Sequence, residues 1–134
     1  MNRSHLTSLF VALSLSFAGC SSASDKPNAE SKEQTEKVLI EFASLREVLA
    51  TITDEASANA AVPKIREIAA TLKALKDNPG DDKTVKGFAE QIKTPKMTEN
   101  ATKISREISR ISKIPGAETA TKEATDALQL VGGR

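Results

Sequence analysis

Val38-Leu39-Ile40-Glu41-Phe42-Ala43-Ser44-Leu45-Arg46-Glu47-Val48-Leu49-Ala50-Thr51-Ile52 sets Val38, Phe42, Leu45, Leu49 and Ile52 at steps of 4, 3, 4 and 3 residues. At 3.6 residues per turn these five side chains share one face, so the stretch predicts an amphipathic α-helix. Ser31 and Gln34 form a plausible capping pair before it, and Thr53-Asp54 marks a turn or a new cap after it. The first helix is therefore expected over about residues 31–53.

The same rhythm recurs outward. In the second segment, about residues 54–78, it falls on Ala58, Ala61, Ile65, Ile68, Leu72 and Leu75. Its opening, Ala56-Ser57-Ala58-Asn59-Ala60-Ala61, has small side chains that allow another helix to come close. That helix can belong to the same bundle, the expected case, or to a partner. Pro63 removes a backbone donor and crowds the preceding turn, so one kinked helix is expected, with a split into two as the alternative. Asp77-Asn78-Pro79-Gly80-Asp81-Asp82 is the clearest turn. Val85, Phe88 and Ile92 then face inward, Thr94-Pro95 interrupts, and Met97, Ala101, Ile104, Ile108 and Ile111 resume the seam. Ile114-Pro115-Gly116 closes this third segment, about residues 82–114 with a break near Pro95. A short, weaker helix is expected from about Ala117 to Leu130, and Gly132-Gly133-Arg134 should fray. Long periodic segments joined by short turns predict an all-α, antiparallel helical bundle of three main helices plus a short C-terminal one.

The N-terminus obeys other rules. Arg3 and His5 precede a run of apolar and small residues from Leu6 to Phe17, then Ala18, Gly19 and the only cysteine, Cys20. Polar start, short apolar stretch and small residues at the cut are the order of a signal peptide, and the run is short of the ~20 residues that span a bilayer. Phe17-Ala18-Gly19-Cys20 resembles a bacterial lipoprotein signal. The resemblance covers about the first 21 residues and departs at Phe17, where the family usually carries Leu, Val or Ile. It implies cleavage before Cys20, acylation of its thiol with palmitate-type chains, and a lipid anchor in the cell envelope. Ser21, rather than Asp, favours the outer membrane by the same analogy. Cleavage by the general signal peptidase, with Ala23 as a candidate site, is the alternative and would make the protein secreted or periplasmic. The chain thus divides into a signal peptide over 1–19, a lipidated Cys20 with a flexible tether over 20–30, and a bundle over 31–134.

A second resemblance is weaker. Ile52 to Ile65 and the Arg110-Ile111-Ser112-Lys113-Ile114-Pro115 element look like segments of small exported helical proteins of planctomycete-type bacteria. That family brings no established activity.

Composition narrows the chemistry. Cutting before Cys20 leaves 115 of the 134 residues and removes His5 and Arg3, so 18 basic residues face 18 acidic ones. Without His, Trp or Tyr, the mature chain has no Ser-His-Asp or Cys-His pair and no Cys/His set for zinc, haem or iron–sulfur clusters. Near-neutral charge and scarce aromatics argue against nucleic acid. Neither enzymatic activity nor a cofactor is expected.

Three features remain as candidates. Lys96, Lys103, Arg106, Arg110 and Lys113 form a basic stripe beside the isoleucine seam, interrupted only by Glu99. It is read either as a solvated face pairing with Glu30, Glu33, Glu36 or Glu41 of a neighbouring helix, or as a contact for anionic lipid or cell-wall polysaccharide through Lys103, Arg106, Arg110 and Lys113. Asp81 and Asp82 suggest calcium, but a site needs six to eight oxygens, so helix capping is expected and no metal. Gly87 lacks the repeated glycines of a phosphate loop, and Phe42 and Phe88 are expected in the core. The leading expectation is a non-enzymatic envelope lipoprotein, held by its N-terminal lipid, that acts as a small structural or protein-binding module. Its partner would be an unidentified envelope protein, and self-association stays open.

Overall fold

A computed structural model describes residues 28–132. The signal stretch with Phe17, Ala18, Gly19 and Cys20, most of the tether, and Gly133-Arg134 lie outside the described residues. Five helices follow in order: α1 (Ala29–Ala50), α2 (Glu55–Asp77), α3 (Asp82–Gln91), α4 (Pro95–Ile111) and α5 (Glu118–Gly132). Among the described residues there is no strand, so the all-α bundle is the fold.

Helix α1 starts earlier than the Ser31–Gln34 pairing predicts. Asn28 is its N-cap, its Oδ1 accepting the Ser31 amide at 2.8 Å, while the Ser31 hydroxyl donates back to the Asn28 carbonyl at 3.0 Å. Gln34 reaches across instead, donating to the Asn78 carbonyl at the end of α2. An Asn side chain can satisfy an orphan donor of the first turn as well as a serine, which moves the start back to Ala29. The inward face is as the periodicity requires: Val38, Phe42, Leu45, Leu49 and Ile52 are each 2% exposed or less.

Helix α2 begins on a capping box between Asp54 and Ser57 and runs unbroken through Pro63, so the split is overturned. Pro63 itself is exposed. The missing donor therefore falls on the solvent side, where water can satisfy the freed carbonyl. After the turn at Gly80, where φ is +80°, Asp81 caps α3.

In α3 the inward register differs from expectation. Thr84 is fully buried, whereas Val85 is 41% exposed. The Thr84 hydroxyl accepts from Asn28 Nδ2 at 2.9 Å and donates to Glu30 at 3.1 Å. That link ties the starts of α1 and α3 together and turns Val85, 100° further round, outward. Pro95 then occupies the first turn of a separate α4, so the third segment is two helices; Thr94 makes no side-chain cap and donates to the Gln91 carbonyl instead.

Contacts between helix ends give the directions. Asn28 meets Thr84 at one end of α1 and Arg110 meets Leu49 and Ile52 at the other, so α1 and the α3–α4 pair run parallel. Gln34 to Asn78 sets α2 antiparallel to α1. Arg66 pairs with Glu123 at 2.9 Å, and Glu55 adjoins Gly116, so α2 and α5 run parallel. The sequence is up, down, up, down, with α1 packed on α2, α3 and α4, and α5 on α2 and α4.

Helix α5 is no weak appendage. It forms the most extensive helix pair of the fold with α2, and it buries Ala120, Ala124 and Ala127, preceded by Ala117. On α2, Ala58 and Ala61 are buried as well, which places these small residues inside the bundle rather than on a docking face. Thr121 Oγ1 is the buried side-chain polar atom left without a partner among the described residues.

Candidate functional site

The basic stripe is carried by α4 and the residue run just after it. Met97, Ile104 and Ile111 are buried and define the inward side of this helix. At 100° per residue, Arg106 stands roughly opposite that seam, with Lys113 beside it; Lys103 and Arg110 lean toward one flank. Thr102, Ser105 and Ser109 lie on the other flank, and together with Arg106, Arg110 and Lys113 they line a shallow, open hollow.

Each cation has a different occupation. Lys103 binds Glu99 one turn back at 2.6 Å, and this hydrogen-bonded ammonium holds the Glu99 carboxyl below its ordinary value, with Arg46 of α1 adding a smaller pull. Arg106, Lys113 and Lys96 have no carboxylate partner among the described residues. The pairing expected with Glu30, Glu33, Glu36 or Glu41 does not form there. Glu30 accepts from Thr84, and Glu33 takes Lys37 at 2.7 Å on its own helix. Partners one turn away on the same helix cost less chain ordering than partners across the bundle.

Arg110 departs furthest from the stripe reading. Its Nη1 donates to the Ile52 carbonyl at 2.8 Å and its Nη2 to the Leu49 carbonyl at 2.7 Å, while Nε donates to Glu107 at 2.9 Å. Leu49 and Ile52 mark the end of α1, whose last turn contains no basic residue of its own. A guanidinium from α4 thus donates to two carbonyls here, that of Leu49 also accepting the Ile52 amide at 3.2 Å, and meets the negative end of the α1 dipole. Arg110 is consequently a structural cap and is withdrawn from the anion-contact set. The hint in the sequence was the missing cation at the end of α1; nothing in it said which helix would supply one.

We expect Arg110→Met, which keeps the apolar stem, to cost about 1–2 kcal/mol, a figure reduced from that of a buried charged hydrogen bond because the side chain is 42% exposed. Arg110→Lys should recover little of this, since an ammonium cannot fork to two carbonyls. Urea unfolding midpoints measure both, and a midpoint unchanged in Arg110→Met rejects the capping role.

The aspartates behave as caps. Asp81 accepts the Thr84 amide at 2.7 Å and Asp54 the Ser57 amide at 2.8 Å; these backbone bonds, first among the causes, hold both carboxyls below the ordinary 3.8. A depressed folded value means the caps stabilise fully above that ordinary value and lose their effect as pH falls through the lower one. Asp82 lies in the first turn of α3. Among the described residues no three acidic, His or Cys side chains converge as a metal site would require. No described helix is long and apolar enough to cross a membrane.

A second hollow lies between α1 and α2, bordered by Val48, Thr51, Ala60, Ala61 and Lys64. It is open, and Glu47 and Ser57 complete its border. No family model matches the chain, and no curated protein or solved structure matches it significantly.

Proposed function

We propose that the chain is an exported lipoprotein whose helical bundle is held at the bacterial envelope by acylated Cys20 and works without catalysis, as a small structural or protein-binding module. The observation that carries this reading is the order of the N-terminus: an apolar run too short to span a bilayer, then Phe17-Ala18-Gly19-Cys20. The bundle is compatible with it. The cap of α1 at Asn28 stands eight residues after Cys20, a length of chain that reaches about 28 Å at most. Two or three acyl chains at ~0.8 kcal/mol per buried methylene would make such an anchor nearly permanent.

The test is metabolic labelling with an alkyne palmitate analogue. Label is expected on the natural chain and absent from Cys20→Ala, with the unlabelled variant released from the membrane fraction. Absence of label on the natural chain, or label surviving in Cys20→Ala, rejects the lipoprotein reading and leaves a secreted or periplasmic protein.

A further inference from the structure

We propose that the outward face of α4, centred on Arg106 and Lys113, rests on an anionic lipid surface, so that the tethered bundle lies on its side against the membrane. The setting rests on the lipoprotein reading; the surface chemistry does not.

Charge separation is the first ground. Residues 93–113 contain six basic and two acidic side chains, a net of +4, whereas the other described residues contain ten basic and fifteen acidic ones, a net of −5. A near-neutral protein is therefore strongly polarised across its width, and α4 is the cationic side. The second ground is availability. Glu99 on this face is already neutralised by Lys103, Glu107 is engaged by Arg110, and Arg106 and Lys113 keep their charges free among the described residues.

The third ground is texture. Beside Arg106 and Lys113 stand Thr102, Ser105 and Ser109, whose hydroxyls donate to carbonyls one turn back at 2.8–2.9 Å and leave oxygen lone pairs outward. No large apolar side chain accompanies them at the centre of the face. An amphipathic helix that inserts needs such residues. This one is built to sit among headgroups, where phosphates meet the cations and headgroup hydroxyls or amines meet the serine and threonine oxygens.

The tether permits the orientation. It leaves from Asn28 on α1, which packs directly against α3 and α4. Two helix diameters, about 20 Å, separate the far side of α1 from the outer face of α4, less than the roughly 28 Å that eight residues can reach.

The experiment uses the chain from Ser21 to Arg134, which contains every described element and lacks Cys20. Sedimentation is measured with phosphatidylcholine vesicles, with and without about 30% phosphatidylglycerol, over a salt series. Binding is expected only to the anionic vesicles and should vanish at high salt. Each cation near an anionic surface strengthens partition about five-fold, so Arg106→Gln with Lys113→Gln should weaken it about 25-fold. Lys64→Gln with Lys76→Gln, an equal charge change on α2, should alter it less than about three-fold. Lack of binding to anionic vesicles, salt-resistant binding, or an equal loss in the α2 variant overturns the proposal. So does binding to purified lipopolysaccharide or teichoic acid chains without binding to vesicles. Because the tested chain lacks Cys20, its result is independent of the acylation test.

Discussion

Ala124→Leu is expected to destabilise the protein by about 2–3 kcal/mol and to lower its thermal midpoint by roughly 10 °C or more. Ala124 is fully buried in α5, in a row with Ala117, Ala120 and Ala127, and the Arg66–Glu123 pair sets it near the level of the buried Ile65 and Ile68 of α2. The short alanine side chains let α5 lie close to its neighbours, and a Leu at this fully buried position must displace them. Either α5 is pushed off α2 or the Leu takes a strained rotamer; both forfeit dispersion contacts along the most extensive helix pair of the fold. Gln129→Leu, on the exposed side of the same helix, adds similar apolar bulk and should stay within about 0.5 kcal/mol of the natural chain. Trypsin gives a second readout. Displaced α5 exposes the bond after Lys122, so Ala124→Leu should be cut there faster than Gln129→Leu. Equal midpoints and equal cleavage for the two variants would refute the close packing.

Gly116→Ala should cost about 2–4 kcal/mol, through two causes that can be separated. Ile114-Pro115-Gly116-Ala117 is a tight turn closed by the Ala117 amide donating to the Ile114 carbonyl at 3.1 Å. With proline second and a φ of +82° at Gly116, it has the form of a type II turn. An L-residue at that angle loses about 1–2 kcal/mol. The rest is steric: a Cβ on Gly116 would overlap Glu55 Cγ and lie 2.6 Å from its Cδ and 2.9 Å from its Cβ. Glu55→Ala removes the outer two atoms, so in the Gly116→Ala background it should restore about half of the loss, while alone it should change little. Chemical denaturation of the four proteins forms the cycle. A Gly116→Ala midpoint within error of the natural chain would show that the turn is not held as described.

Helix identity was legible from local spacing. Val38 to Ile52, Ala58 to Leu72 and Met97 to Ile111 are buried along the faces their periodicity marks. Chain breaks were legible too, because Pro79-Gly80, Thr94-Pro95 and Pro115-Gly116 act through their own backbone preferences. Where spacing was short, the reading failed. Ten residues of α3 offer too few apolar positions to fix a rotation, and a hydrogen bond from Asn28 to Thr84 decided it instead. Pro63 could be read two ways, since helix continuity there depends on how much packing the rest of α2 brings. The candidate face was legible as charge and only partly as role: five cations at helical spacing look alike, but one of them reaches across to cap another helix.

The sequence alone determined that this protein is helical, where its helices start and stop to within a few residues, and which chemistries its side chains can support. Those properties follow from interactions within a few residues of each other. The tertiary structure decided that α5 packs its alanine row into the bundle along α2, that Arg110 closes the end of α1, and that Arg106 and Lys113 keep their charges outward. Each of these joins residues some 57 to 61 positions apart or depends on such a join, as in Arg66 to Glu123 and Leu49 to Arg110. A contact at that separation leaves no periodic mark on either partner, because its energy is realised only once the chain has folded.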